Sequence, residues 1–220
     1  MVDFNTSYYV MDELANRTYL LNDNYDYVTD RTFTLPQYMV TVNSSLYITG
    51  MSNIWKTDKY LNILITHNES AVANYNGIYF NCTDNLIYAA STGYKYFQVF
   101  DLNLTLNHNI SVSPNNPRSF GEYNNELYVG TNQLLVLVIV NKIVIRNFMG
   151  CSSGPLYSLV ADNYGFIAIA CFSNNLVNLY YYNGTSTGKS LTTPVYPTYV
   201  GFDSKGRFVL LSYYQMSIYY

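Results

Sequence analysis

The sequence predicts an all-β propeller, built from small four-stranded sheets, or blades, that pack around a common axis. Two observations predict it. The sequence repeats with a period of about 40 residues, and short runs rich in Val, Ile, Tyr, Phe and Thr alternate with turn residues. No stretch of the chain has clear helical periodicity. A four-stranded unit that recurs at this interval is typical of a propeller blade.

The repeat appears as matching residues at a constant offset. Pro36 matches Pro117, and the tyrosine of an aliphatic-Tyr pair recurs as Tyr47, Tyr88 and Tyr128. A second marker, an Asp or Asn between two strand-like runs, has a similar spacing and occurs at Asn22, Asp58, Asp101, Asn141 and Asn183. Asp and Asn are favoured in such turns because their side chains bond nearby backbone N–H groups.

The repeat divides the chain, treated as one propeller domain, into six units. Their approximate bounds are residues 1–34 (partial), 35–75, 76–114, 115–153, 154–195 and 196–220 (partial). We therefore predict six blades, of which the first and the last are incomplete, and we expect the chain to be a fragment of a longer protein. In the alternative there are five blades, and residues 27–34 complete the C-terminal sheet.

Several motif details resemble the six-bladed propeller family built from NHL repeats. Asp162 with Gly165, and Asp203 with Gly206, form an Asp-x-x-Gly turn, and residues 98–106 (QVFDLNLTL) resemble the third strand and turn of that family. The resemblance implies a platform that binds protein or RNA, or in some relatives a lyase or lactonase.

Composition narrows the function classes. Of 220 residues, 17% are aromatic and 11% are charged, which excludes a disordered chain and a coiled coil. A net charge of −3 with 11 basic residues disfavours nucleic-acid binding, which needs a basic surface. The longest apolar run, residues 134–140, is too short to cross a membrane. The first residues lack the pattern of a signal peptide.

We therefore predict a non-catalytic binding module, without a cofactor, that recognises a protein or glycan. One alternative is a metal-dependent propeller lyase or lactonase-like hydrolase, which needs His or carboxylate ligands converging on the axis. His67 and His108 instead occupy equivalent places near the outer rim, so no catalytic or metal-binding residue is proposed. The other alternative is an RNA-binding platform of the NHL type.

Candidate ligand-binding residues are aromatic or Arg side chains in the loops between second and third strands and between blades. Such side chains dominate recognition surfaces because they offer large, rigid contacts with polar groups. These candidates are Trp55, Tyr94, Tyr96, Arg118 and Tyr196.

Cysteines and glycosylation sequons favour an extracellular or cell-surface protein, with a cytoplasmic one as the alternative. Cys151 precedes the first strand of one blade and Cys171 follows its second, so a disulfide between them is expected in an oxidising compartment. Cys82 is expected to be a buried thiol. Eight Asn-x-Ser/Thr sequons include Asn5, Asn16 and Asn81. The candidate glycosylation sites in or near exposed turns are Asn43, Asn68, Asn103, Asn109 and Asn183.

Overall fold

A computed structural model describes residues 2–3, 7–22, 24–69, 73–193, 195–202, 208–212 and 215–219. In this part of the chain, β-strands are joined by turns, and one short 3-10 helix covers Phe172–Asn174. Asn5, Asp203 and Gly206 lie outside the described residues. The chain separates into two compact units, Met1–Ser111 and Val112–Tyr220.

The first unit contains three antiparallel sheets of four strands, each paired in chain order. Its strands are β1 (Val2–Asp3), β2 (Ser7–Asp12), β3 (Arg17–Asn22) and β4 (Tyr27–Thr32); β5 (Tyr38–Val42), β6 (Ser45–Thr49), β7 (Asn53–Asp58) and β8 (Ile63–Asn68); and β9 (Tyr75–Asn81), β10 (Leu86–Ser91), β11 (Tyr96–Phe100) and β12 (Leu106–Ser111).

The second unit contains two sheets of four strands and one of three. Its strands are β13 (Pro117–Tyr123), β14 (Glu126–Thr131), β15 (Leu135–Val140) and β16 (Ile143–Met149); β17 (Leu156–Ala161), β18 (Phe166–Cys171), β19 (Leu176–Tyr181) and β20 (Ser186–Thr192); and β21 (Pro197–Phe202), β22 (Phe208–Ser212) and β23 (Gln215–Tyr219).

The fold is an all-β propeller of four-stranded blades, as the sequence predicts. Within each unit the first strands of successive sheets lie against each other: β5 contacts β9, β13 contacts β17, and β17 contacts β21. Each small sheet therefore covers an apolar face of the next one. The assignment of the whole chain to one domain stays a prediction.

The six-bladed prediction is not confirmed. Five sheets have four strands, which is the number of blades in the alternative, and the sixth has three within the described residues. The strand exchange drawn in that alternative is not observed, because β4 pairs with β3 of its own sheet, with Thr32 opposite Arg17. A short turn joins these two strands, and closing a short loop costs less entropy than closing a long one.

The second strand of each sheet has a hydrogen-bonded strand on both sides, and β6, β10, β14 and β18 are almost entirely buried. Tyr47 of β6 is 1% exposed and packs in one cluster with Tyr75, Ile87 and Phe100 of the following sheet. The fourth strands are much more exposed, as at Ile143 of β16, with 66% of its surface accessible. Burial of apolar area between the sheets is the main source of stability, at roughly 25 cal/mol per Å².

The repeated tyrosine of the second strand also links neighbouring sheets. In three sheets its hydroxyl donates a hydrogen bond to a backbone carbonyl oxygen in the outer turn of the next sheet. The pairs are Tyr9 with Lys59 (2.6 Å), Tyr47 with Leu102 (2.8 Å) and Tyr128 with Tyr182 (3.0 Å). Burial raises the pKa of Tyr9 and of Tyr47 to about 12.

The Asp and Asn markers serve the turns, as predicted. Asp58 Oδ1 accepts the backbone N–H groups of Tyr60 (2.8 Å) and Asn62 (2.9 Å). Asn22, Asp101 and Asp162 accept two N–H groups in the same pattern. In the turns at Asn43, Asn124 and Asn141 the backbone is left-handed, with φ values of 54°, 52° and 50°, a conformation that Asn tolerates well.

Candidate functional site

Of the predicted ligand-binding residues, Trp55 is not at the surface. It lies inside β7 rather than in a loop, and it is 6% exposed. Its indole packs against Phe33, with ring centroids 5.1 Å apart. It also covers Gly50 so closely that a Cβ there would lie 2.7 Å from the indole. The indole therefore fills a space in the core that the small Gly50 leaves open.

Tyr94 and Tyr96 form a stacked pair in the first unit, with centroids 4.7 Å apart and ring planes 9° from parallel. Burial, the neighbouring Tyr94 and the charge of Glu69 raise the pKa of Tyr96. Close to the pair, the Tyr75 hydroxyl donates to Gln98 Oε1, and the Gln98 amide donates to Glu69 Oε2 over 3.2 Å. Because these groups satisfy one another, they form an internal polar network.

The two histidines do not form a metal site in the described structure. His67 is half-buried, its ring meets the Phe100 ring edge-on at 4.7 Å, and burial lowers its pKa. His108 lies on the outer strand β12 of the next sheet. Within the described ranges, no three or more His, Cys, Asp or Glu side chains cluster closely enough to hold a metal ion.

Arg118 and Tyr196 are the two ends of one stack in the second unit. The Arg118 guanidinium carbon lies 3.6 Å from the centre of the Tyr157 ring. Tyr157 stacks on Phe172 at 4.3 Å and 17°, and Phe172 stacks on Tyr196 at 4.5 Å and 15°. We call these four side chains the stacked column. It connects three successive sheets, because Arg118 is the second residue of the first sheet and Tyr196 directly precedes the third.

A recurring β-bulge places Arg118 and Tyr157 at equivalent positions. The register between first and second strands shifts around Arg118 in one sheet and around Tyr157 in the next. A bulge redirects the side chain of the extra residue. In the first unit the residue at the equivalent bulge is Asn76, which forms hydrogen bonds rather than ring contacts. Its amide N–H donates to Gln37 Oε1, and its Oδ1 accepts from Thr92 Oγ1 over 2.6 Å.

A disulfide joins Cys151 to Cys171, as the sequence predicts, with Cα atoms 5.5 Å apart. Cys171 directly precedes Phe172, so the bridge fixes the start of the 3-10 helix that carries this ring. Ser153 Oγ donates to Asn174 Oδ1 (2.9 Å), and Asn174 Nδ2 donates to Ser152 Oγ (3.1 Å). The middle of the stacked column is therefore held by covalent and polar contacts. The remaining cysteine, Cys82, is exposed, which corrects the expectation of a buried thiol.

Charge is scarce at the stacked column. Arg118 Nη1 donates to Asn132 Oδ1 over 3.3 Å, whereas its buried Nε atom has no hydrogen-bond partner. Among the described residues Arg118 belongs to no ion pair, unlike Arg17 and Arg146, which pair with carboxylates.

The sequence identified the two ends of the stacked column and missed its middle. Tyr157 precedes a serine as Arg118 does, at the start of successive repeat units, so aligning the two units could have identified it. Phe172 has no such signal, because its place depends on the 3-10 helix.

The five candidate glycosylation sites are all exposed: Asn43, Asn68, Asn103, Asn109 and Asn183. Two other sequon residues, Asn16 and Asn81, are half-buried. Asn183 Oδ1 accepts the backbone N–H of Thr185 over 2.9 Å, so this sequon forms a turn of its own. Use of these sequons stays a prediction.

The second unit also contains an apolar cavity of about 310 Å³ between its last two sheets. Its lining includes Val177, Leu191 and Phe208, with Lys189 and Asp162 as its charged members. None of the predicted ligand-binding residues lines it.

Comparison with solved structures supports the fold. The chain is similar to the Neurospora crassa Pan2 WD40 domain (TM-score 0.70, 8% identity, covering 93% of this chain and 72% of that one). It is also similar to the WD40 propeller domain of Doa1, with a TM-score of 0.75 and 12% identity over 93% of this chain and 71% of that one. A Bacteroides caccae protein of unknown function is similar as well, with a TM-score of 0.77 and 10% identity over 94% of this chain and 82% of that one.

Comparison by sequence assigns the chain to no family. No protein-family model and no curated protein matches the chain, so the resemblance to NHL repeats is not confirmed. Among the described residues, no helix has the length and apolar character that crossing a membrane requires.

Proposed function

We propose that this chain is a non-catalytic binding module that recognises a protein or glycan through the surface around the stacked column. The observation that carries the proposal is the column itself, in which Arg118, Tyr157, Phe172 and Tyr196 stack across three sheets. Aromatic and Arg side chains with restricted motion lose little entropy on binding, so they make effective contact residues.

The surroundings of the column support this role. Tyr196 is 46% exposed, and Asn132 accepts a hydrogen bond from Arg118. The 3-10 helix that carries Phe172 also contains Asn174, whose amide donates to Ser152 Oγ. A few polar groups around an aromatic surface are typical of binding sites. The likeness to WD40 domains shows the fold alone, so the proposal rests on the surface and not on that likeness.

Binding arrays of immobilised peptides and of glycans test this role. We expect the wild-type chain to bind members of one array and the Tyr196→Ala variant to lose most of that binding. Tyr164→Ala is the matched control, because Tyr164 is 86% exposed in the same unit and is not part of the stacked column. Binding that survives Tyr196→Ala and Phe172→Ala unchanged would show that the site lies elsewhere.

We also propose that the protein works outside the cell or at its surface. The buried disulfide and the five exposed sequons support this compartment. The test is the mass of the protein isolated from its native cells before and after N-glycosidase treatment. Loss of mass is expected. In recombinant secreted protein, Asn183→Asp should remove one glycan while it retains the turn, because a carboxylate oxygen also accepts the Thr185 N–H. A native protein that carries no glycan and has reduced cysteines would contradict the proposal.

A further inference from the structure

The positive charge of Arg118 is not neutralised by the described part of the protein. Among the described residues, its one hydrogen bond goes from Nη1 to the neutral amide oxygen of Asn132, and its buried Nε has no partner, so the two Nη groups are the donors left for an anion. A guanidinium offers five N–H donors in a planar fork that matches a carboxylate. Stacking on Tyr157 holds this fork in one orientation, so the group is prepared to bind an anion.

Stacking covers the faces of the inner rings. Tyr157 has the guanidinium at 3.6 Å and Phe172 at 4.3 Å. Two groups this close to one ring cannot share a face without overlapping, so they lie on opposite faces. The same holds for Phe172 between Tyr157 and Tyr196. Within the column only the outer face of Tyr196 has no ring against it.

What the inner rings offer a ligand is therefore their edges. The edge of an aromatic ring carries partial positive charge, whereas its face carries partial negative charge. Ring edges favour carbonyl and carboxylate oxygens. A sugar ring, in contrast, packs its C–H groups on an open aromatic face, of which the column has only one. Edges and guanidinium together favour an acidic peptide over a glycan.

We infer that the stacked column binds an acidic segment of a protein partner, with a carboxylate of that segment paired to Arg118. The inference rests on the proposed binding function and names the class of its ligand. The carboxylate accepts two N–H groups from the guanidinium, and backbone carbonyl groups of the segment lie along the edges of Tyr157 and Phe172. No bond is made or broken.

The test uses short immobilised peptides in matched pairs, in which every Asp and Glu of one member is replaced by Asn and Gln in the other. An array of neutral and sialylated glycans is probed in parallel. We expect the wild-type chain to bind the acidic member of a pair. Its affinity for the amide member should be at least about tenfold lower, because a charge-assisted hydrogen-bonded pair is lost.

Variants of Arg118 connect this preference to one residue. Arg118→Gln should lose about tenfold or more in affinity for the acidic peptides and keep its affinity for the amide versions. Arg118→Lys keeps the charge and loses the fork, so it should show an intermediate affinity. Lys189→Gln is the control for net charge, because Lys189 is an exposed cation on the outer strand β20 of the same unit. Melting temperatures show whether each variant is folded.

Each other outcome overturns the inference. If folded Arg118→Gln binds acidic peptides as the wild type does, Arg118 is not the anion site. If peptides bind without preference for acidic members, or only sialylated glycans bind, the ligand class is wrong. When the ligand class is wrong but the column is still the binding site, Tyr196→Ala still loses most of the binding. Failure of the inference can therefore be distinguished from failure of the proposed function. Binding to no peptide on the array also overturns the inference.

Discussion

The hydroxyl of Tyr47 donates a hydrogen bond to the backbone carbonyl of Leu102, 55 residues later in the chain and in the next sheet, over 2.8 Å. The same bond recurs from Tyr9 and from Tyr128. A tyrosine at this position therefore packs its ring in the core and ties two sheets together with its hydroxyl. The equivalent Tyr88 also donates to Asp84 Oδ2, in the turn before its own strand, over 2.6 Å.

Removal of this hydroxyl should weaken the packing between two sheets. We expect Tyr47→Phe to lower the free energy of unfolding by about 1 kcal/mol, because the ring stays in place and the Leu102 carbonyl loses a buried donor. Urea unfolding measures the change. Tyr164→Phe, at a tyrosine 86% exposed, should have no measurable effect. Equal stability of wild type and Tyr47→Phe would contradict the role given to the bond.

Alkaline pH should destabilise the protein through the same tyrosines. Burial raises the pKa of Tyr9 and Tyr47 to about 12 in the folded chain, against about 10 in an unfolded one. Between these values the unfolded state loses protons that the folded state retains, so the free energy of unfolding falls as pH rises. Below about pH 10 the contribution is fully present.

Urea unfolding at several pH values above about 9 measures this slope. In Tyr47→Phe the slope should be shallower, because one of the groups whose pKa is raised in the folded state is gone. Stability that does not change up to about pH 12 would show that these phenols titrate alike in both states.

The disulfide should stabilise the second unit and the stacked column. It closes a loop with a sequence separation of 20 residues, and a bridge over such a loop typically contributes about 3 kcal/mol. We expect the double variant Cys151→Ser, Cys171→Ser to lose about this much stability and to bind peptides more weakly, because Phe172 follows Cys171 directly. Thermal unfolding and the peptide array measure the two effects.

Cys82→Ser is the matched control for the disulfide variant. Cys82 is exposed and unpaired, so its replacement should change neither stability nor binding. A double variant as stable as this control would contradict the stabilising role.

Gly154 should tolerate a side chain less well than Gly188, although both have positive φ, 68° and 72°. A Cβ at Gly154 would overlap with the side chain of Ser173, whereas no described atom lies within 4 Å of one at Gly188. Gly188→Ala should cost about 1 kcal/mol for the backbone conformation alone. Gly154→Ala should cost about 1–3 kcal/mol more, because the 3-10 helix must move.

Thermal unfolding of the two alanine variants gives this difference directly. Gly154→Ala should also weaken peptide binding, since Phe172 and Ser173 belong to the same 3-10 helix. Similar melting temperatures for the two variants would show that the contact with Ser173 is unimportant.

The repeat predicts the strands and turns well. The markers that Tyr47 and Asp58 represent recur because each has a local task, burial in a second strand for the tyrosine and acceptance of turn N–H groups for the aspartate. The number of blades is harder to predict. It depends on which strands pair at the ends of the repeat, and β4 pairs with its sequence neighbour β3.

Candidate binding residues were predicted by residue type, and residue type does not report exposure. Trp55 and Tyr196 are both predicted to lie in loops, yet Trp55 is 6% exposed and Tyr196 is 46% exposed. The difference comes from Gly50, which leaves space for the indole. The expectation of a buried thiol at Cys82 is wrong because residue type does not report exposure, and Cys82 lies in an exposed turn.

Local chemistry can be read along the chain: strand-forming residues at a period of about 40 and turn residues between them were enough to predict a propeller. Strand and turn preferences depend on residues that are close in sequence. The stacked column could be recognised only in three dimensions, because Arg118, Tyr157, Phe172 and Tyr196 come from three sheets. Their contact depends on the packing of one sheet on the next and on the 3-10 helix that carries Phe172, which bring together side chains far apart in the sequence.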